Sequence, residues 1–523
     1  MKKILNFTIL TIFVLSLTSC SDIDYPPVGI DPDALSAKTL DNNTAAEEPQ
    51  VEDKYNLLKY DITPTPYGGI STITPPAVIS ENGDDSQPRS YTFSASFNAS
   101  QHYSIGIEAY TFSDNSVVEL SSDGVFIGVY YISNDVSTPE ESQFFYLEPV
   151  YLPQGNVELT FTALRGKTEI SRVAGRNADA LPDSRFDVTR RLITPIPSVE
   201  ANELFGYIGA LYGERVLTAQ YVTPNYNAEI EAVYKAVGRK PAVRFGDAGA
   251  VFGADSHEVA LSEQWHKDGG IVGLTWTWNA PNTPDVQGSH FADQSDFSLG
   301  GALIGATNSG VEMLTLEQVQ EMANSAQVSQ GLVDIIRDID IVSAALKELR
   351  DNNIPVLWNP LPDGGSRQYW WGTSGGESYV TLWRLMYDRM LSFHGLDNLI
   401  WVYSGGSLAY YPGDNRVDII GESVFESPGV SAGSQAVKLG NAAGYGENAS
   451  SKPTAVVSGN RLPSPNILYR DNAMWLMWAM RGGGFLLDAS GEVIAELQES
   501  LDRFYNHELT VTLDQIQYLV DDF

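Results

Sequence analysis

The stretch SQGLVDIIRDIDIVSAALKELRDNNIPVLWNPLPD, Ser329 to Asp363, is a helix-like segment running into an apolar strand that ends on polar residues. From about residue 196 to the C-terminus the same alternation repeats on both sides of it. The strand candidates are ELFGYIGAL (203–211), PAVRFGDAG (241–249), GIVGLTWTW (270–278), IPVLWNPL (354–361), NLIWVYSGG (398–406), VDIIGESVF (417–425), PTAVVSG (453–459) and GGFLLDAS (483–490). Eight βα repeats of this size predict a (β/α)8 TIM barrel over 196–523. In such a barrel the polar residues just after each strand converge on one face, where sites are built. Asp247, Thr277, Asp363, Ser404, Glu422 and Ser458 hold those positions.

Upstream the texture changes. Residues 55–192 carry short β-branched and aromatic runs separated by turn residues, such as SYTFSASF, YSIGIEAYTF, VFIGVYYI, QFFYLEPVYL and NVELTFTAL. Strands at this spacing without amphipathic helices predict an all-β, jelly-roll-like sandwich. The end of this region, LPQGNVELTFTAL, resembles the closing hairpin of carbohydrate-binding modules of families 6 and 35. Residues 21–54 are rich in Asp, Asn, Pro, Glu and Ala and read as a flexible acidic tether. At the start, Lys2 and Lys3 precede an apolar run from Ile4 to Leu17, and Leu17-Thr18-Ser19-Cys20 follows. Residues 1–20 therefore read as a lipoprotein signal peptide, the run being shorter than the roughly 20 residues of a membrane span. Cys20, the only cysteine of the chain, is the expected lipidation point.

The chain has 523 residues and a formal net charge of -34. That surface repels nucleic acid and anionic membranes and favours a neutral polymer as partner, with the membrane met only through the lipid anchor. The histidines show no metal-ligand spacing, so neither a metal nor a cofactor is expected. GGIVG and RGGGFLL lack the strand-to-helix phosphate fingerprint and read as turns, and GDNRVD reads as a solvated turn instead of a calcium loop.

QWHKDGGIVGLTWTWNAP (264–281), IPVLWNPLPDGGSRQYWWG (354–372), YVTLWRLMYDRMLSFHGLDNLIWVYSGG (379–406), YYPGDNRVDIIG (410–421) and NAMWLMWAMRGGGFLL (472–487) resemble, in order and spacing, the barrel of glycoside hydrolase family 26, best known as β-mannanases. The resemblance implies a retaining mechanism with two glutamates, an acid/base after strand four and a nucleophile after strand seven; retention needs their carboxyls about 5 to 5.5 Å apart. Here the acid slot falls on Asp363, in Asn359-Pro360-Leu361-Pro362-Asp363, and the nucleophile slot on Ser458. A seryl hydroxyl does not form the usual glycosyl ester, and an aspartate in the acid slot reaches about 1 Å less far. Further polar positions of the family pattern fall on Thr277 after strand three, on Gly206-Tyr207-Ile208-Gly209 after strand one, and on Ser423 and Phe425 after strand six. Ser21-Asp22-Ile23-Asp24 resembles the acidic tag of surface lipoproteins of Bacteroidetes-type bacteria, which implies an outer-membrane, cell-exterior location beside a glycan importer.

Two functions stay open at this point. One is a catalytically degenerate, surface-anchored protein that captures β-mannan or another neutral β-linked polysaccharide. Its expected contacts are Asp247, Trp276, Thr277, Tyr369, Trp370, Trp371, Tyr403, Tyr410, Tyr411 and Trp475, because aromatic faces pack on the C–H patches of sugar rings. The other is an active endo-β-1,4-mannanase or related β-glycanase with Asp363 as acid and Glu422 as the substitute carboxylate. Trp358 and Trp401, inside strands, read as core.

Overall fold

The computed structural model describes residues 59–61 and 69–516, apart from 84–86, 114, 134–136, 148, 179–182, 254–255, 285, 308, 426–432 and 443–451. The expected signal peptide, the tether and Cys20 lie outside the described residues.

The N-terminal strands are β1 (Lys59–Asp61), β2 (Gly69–Ser80), β3 (Ser90–Phe97), β4 (Gln101–Thr111), β5 (Asn115–Ser122), β6 (Val125–Ser133), β7 (Gln143–Tyr146), β8 (Val150–Leu152), β9 (Gly155–Arg165) and β10 (Lys167–Asn177). They form two sheets, β1-β3-β9-β5-β6 and β2-β10-β4-β7, with β8 also pairing β4. Alternation decides the faces: on β4, Tyr103, Ile105, Ile107 and Ala109 turn inward and meet Phe93, Leu120, Leu159 and Phe161 of the other sheet. The run QFFYLEPVYL, expected as one strand, is split into β7 and β8.

The barrel strands are β11 (Val216–Tyr221), β12 (Val243–Asp247), β13 (Ile271–Trp276), β14 (Val356–Pro360), β15 (Leu399–Tyr403), β16 (Ile419–Val424), β17 (Thr454–Gly459) and β18 (Met477–Met480). All pair in parallel in that order, and β11 closes the ring by pairing both β12 and β18. The short β19 (Thr510–Val511) adds to β11 from outside the ring. The (β/α)8 barrel is thus present, with a β-rich region before it.

Two strand assignments need correcting. ELFGYIGAL is not the first strand; it lies in a helix, Val199–Leu211, capped by Ser198, whose side chain accepts from the Ala201 N–H. Its buried residues Ala201, Leu204, Phe205 and Ile208 recur at helical spacing and pack against barrel residues Leu217 and Ile400. The first strand is VLTAQY, and Gly206 to Gly209 do not follow it. GGFLLDAS is not the eighth strand either. Its glycines open a turn at Gly483–Phe485, with Gly483 at φ 60, and the strand is MWAM just before it.

After β10 the chain leaves the sandwich, and Phe186, Val188 and Leu192 pack on the barrel. The two parts touch elsewhere too. The Arg470 guanidinium lies 5.5 Å over the Tyr151 ring, and a Cβ on Gly433 would come within 2.0 Å of the Phe126 carbonyl.

Candidate functional site

At the C-terminal ends of the barrel strands lies a cavity of about 320 Å³. Asp247 closes β12 and lines it. Its Oδ1 accepts from the Gly249 N–H at 2.8 Å and the Thr277 N–H at 2.9 Å, so the ends of the second and third strands share one carboxylate. Burial raises its pKa against the pull of these donors. A Cβ on Gly249 would sit 2.6 Å from the Thr277 carbonyl, which explains a glycine there.

Asp363 enters from the turn after β14. Leu361 and Asp363 both adopt left-handed backbone, each at φ 51, a conformation that costs a non-glycine residue energy. Neighbouring groups hold this turn. Tyr379 donates its hydroxyl to the Leu361 carbonyl at 2.7 Å, Trp371 donates Nε1 to the Pro362 carbonyl at 2.9 Å, and the Asp363 N–H reaches the Ser404 carbonyl at 2.9 Å. The Asp363 carboxylate accepts from Ser423 Oγ at 2.7 Å. Burial raises its pKa; the Ser423 hydroxyl, Arg481 and Lys438 oppose the rise. Lys438 donates to the Ser423 carbonyl at 2.7 Å and so steadies the residue that contacts Asp363.

Behind the acids runs a polar chain. Buried Asn359 accepts from Ser404 Oγ at 2.7 Å and donates to the Tyr221 hydroxyl at 3.3 Å, linking strands four, five and one. Tyr221 at the end of the first strand, Ser423 from the sixth and Ser458 from the seventh are further hydroxyl residues of the lining, and Thr223, just past the first strand, joins them. Arg481, just past β18, stands beside an edge-on pair of exposed rings, 5.4 Å from the Phe425 centroid and 5.1 Å from that of Phe485, the two rings being 6.0 Å apart. Tyr369 stacks on Trp371 at 4.6 Å and on the partly exposed Phe291 at 5.6 Å, continuing an aromatic edge outward from the cavity.

Of the residues expected from the sequence, Asp247, Thr277, Asp363, Tyr369 and Ser458 line this cavity together. The others are corrected. Trp276, Trp370, Trp371, Tyr403, Tyr410 and Trp475 are buried side chains, closed off from any ligand. Trp370 Nε1 bonds the Trp278 carbonyl, Trp475 Nε1 that of Ser434, and the Tyr403 hydroxyl that of Ser407. Tyr411 is partly buried, with its hydroxyl on Asp414 at 2.9 Å, away from the lining. Glu422 is not among the lining residues; along β16 Ile419 packs in the barrel interior and Ile420 against the surrounding helices, so alternation turns Ser423 inward and Glu422 outward. Ser404 serves Asn359 from behind. Tyr221 and Thr223 escaped the sequence reading because the first strand was misplaced. Arg481 and Phe485 escaped because the eighth strand was set one element too late.

Among the curated proteins, the chain is 28% identical over 351 residues to a mannan endo-1,4-beta-mannosidase of Thermothelomyces thermophilus, covering 64% of this chain and 65% of that protein. It is 26% identical over 411 residues to mannan endo-1,4-beta-mannosidase B of Piromyces sp, covering 73% and 64%. The chain thus spans just under two thirds of the length of these relatives. Among solved structures it resembles a GH26-CBM35 β-(1,4)-mannanase of Podospora anserina, with TM-score 0.56, 24% identity and coverage of 82% of this chain and 90% of the other. A ruminal GH26 endo-β-1,4-mannanase gives TM-score 0.57 at 21% identity over the same shares. At these identities the likeness speaks for the fold. The family model described as Glycosyl hydrolase family 26 matches residues 193–515, more than half the chain and the whole of the barrel ring, so the chain belongs to glycosyl hydrolase family 26.

Proposed function

We propose that this protein captures β-mannan or a related β-linked polysaccharide at the mouth of the barrel without cleaving it. One observation carries the reading: among the described residues that line the cavity, the acids are Asp247 and Asp363, and no glutamate is present. Double displacement needs a free carboxylate opposite a protonated one. Asp247 is committed to two backbone N–H groups, and the position facing Asp363 across the strand-six and strand-seven ends is filled by Ser423 and Ser458. What remains suits holding a pyranose chain: hydroxyls, an amide, two carboxylates and a guanidinium beside two rings. The relatives' names supply the mannan class.

A second reading is favoured by those same names and by the burial that raises the Asp363 pKa, a property of a general acid. It is an endo-β-mannanase working with Asp363. A long-incubation reducing-end assay of the lipid-free protein on galactomannan, glucomannan, mixed-linkage glucan and xylan separates the two, run beside Asp363→Ala. No product, together with retardation in a native gel containing one of these polymers, supports capture. New reducing ends that vanish in the variant overturn it.

The proposal includes attachment through Cys20 to the outer membrane, facing outward beside a glycan importer. Loss of surface labelling of intact cells in Cys20→Ala is the expected result, and unchanged labelling removes the anchor from the proposal.

A further inference from the structure

We infer that Glu229, which does not line the cavity, is the positioning residue that fixes the width of its wall between the first and eighth strands and thereby its grip on a sugar chain. The inference rests on the capture reading. Glu229 sits in the first turn of the helix Ala228–Val237 and is fully buried. Its Oε1 accepts from the Thr223 hydroxyl at 2.6 Å and from the Gly483 N–H at 2.9 Å; its Oε2 accepts from the Thr223 N–H at 3.1 Å. One carboxylate therefore ties together two cavity-lining loops, at Thr223 and at Gly483, the second of them 254 residues from Glu229 in sequence.

This is the seam at which the barrel closes. Just below it, the Gln220 amide donates to the Met480 carbonyl at 3.1 Å and the Tyr221 carbonyl at 2.8 Å. A Cβ on Gly482 would lie 2.6 Å from the Tyr221 carbonyl and 3.0 Å from Glu229 Oε1, so only glycine lets the loops meet this closely. The wall formed by Gly482, Gly483 and Gly484 is bare backbone facing the cavity. Backbone without side chains lets a ligand ring approach closely, but three glycines hold no conformation by themselves. Glu229 supplies that hold. The same loop carries Arg481 before the glycines and Phe485 after them, so the anchor also sets where the guanidinium and its ring stand.

The test compares the lipid-free wild type with Glu229→Gln and Glu229→Ala in affinity gels of galactomannan, glucomannan, mixed-linkage glucan and xylan, well below the unfolding temperature of each. Loss of three buried hydrogen bonds in Glu229→Ala is expected to weaken retention by the best polymer about tenfold or more and to flatten the preference among polymers. Glu229→Gln keeps an acceptor for Gly483 and is expected to restore most of both. Hydrogen exchange of the 482–485 amides is expected to accelerate in the alanine variant and recover in the glutamine variant. Equal affinity and preference in all three proteins, with only the melting temperature lowered, overturns the inference. So does unaltered exchange of the glycine loop, even if the wild type retains none of the polymers, a result that sinks the capture reading separately.

Discussion

Asp418 offers a perturbation whose size follows from its surroundings. It stands just before β16, at the end of the barrel remote from the cavity, and is 1% exposed. Its two oxygens accept from the Ile193 and Trp401 N–H groups, both at 2.8 Å, pinning the chain that enters the barrel to the fifth strand. Burial pushes its carboxyl up to about 6, although both N–H groups and Lys452 favour the ionised form. In the unfolded chain the value is about 3.9. Between the two, the folded protein keeps a proton that the unfolded chain has released. The stability tied to that proton is complete below about pH 4 and is lost as pH rises through 6. About 2 pH units at 1.36 kcal/mol each makes the loss roughly 3 kcal/mol. Asp418→Asn does not titrate. Its oxygen accepts from one N–H while its amide opposes the other, a cost of about 1 to 3 kcal/mol at any pH. Urea unfolding of both proteins at pH 4 and 7.5 should show the wild type clearly ahead at the lower pH and the gap narrowed or reversed at the higher. All other titrating groups are shared, so their effects cancel in the comparison. A gap that stays constant, or that widens with pH, refutes the argument, because it means that the N–H donors and Lys452 outweigh burial.

Three further outcomes are expected. Phe485→Ala removes one of the rings beside Arg481 and should weaken polymer retention in affinity gels by about tenfold while leaving the melting temperature nearly unchanged, since this ring is partly exposed. Trp371→Phe keeps most of the ring but leaves the Pro362 carbonyl without its donor; about 1 to 2 kcal/mol of stability should be lost in urea titration, and retention should fall with it because the Asp363 turn loosens. Glu258→Ala strands the Arg244 guanidinium, its partner at 2.5 Å, with both side chains only 1% exposed, and should cost about 3 to 5 kcal/mol by the same titration.

Strands two to seven were legible because a parallel strand buried on both faces is a near-continuous apolar run. VLTAQY was not, since Thr218 and Gln220 point polar groups into the structure, where the Thr218 hydroxyl meets the Val511 carbonyl and the Gln220 amide meets Met480. A more apolar helix upstream took its place in the reading. At the site, the rule that polar residues follow barrel strands led to Asp247, Thr277, Asp363 and Ser458. The tryptophans misled because sequence gives the kind of side chain and not its direction. Several of those indoles close the core or bond backbone carbonyls. Glu422 misled for the same reason: strand alternation puts it on the outer face with Ile420 and leaves Ser423 on the inner face with Ile419.

The placement of the indoles has an optical consequence. All ten tryptophans fall between Trp265 and Trp478, inside the barrel, and none lines the cavity. Emission excited at the red edge of the absorption band therefore comes from the barrel alone, while the tryptophan-free sandwich is dark at that wavelength. Its unfolding would pass unseen in such a trace and needs circular dichroism to follow it. Because nine of these indoles are sealed from solvent, emission should be blue-shifted and resistant to acrylamide. A polysaccharide seated in the cavity should leave that emission untouched, so any change on adding one reports a movement of the barrel itself.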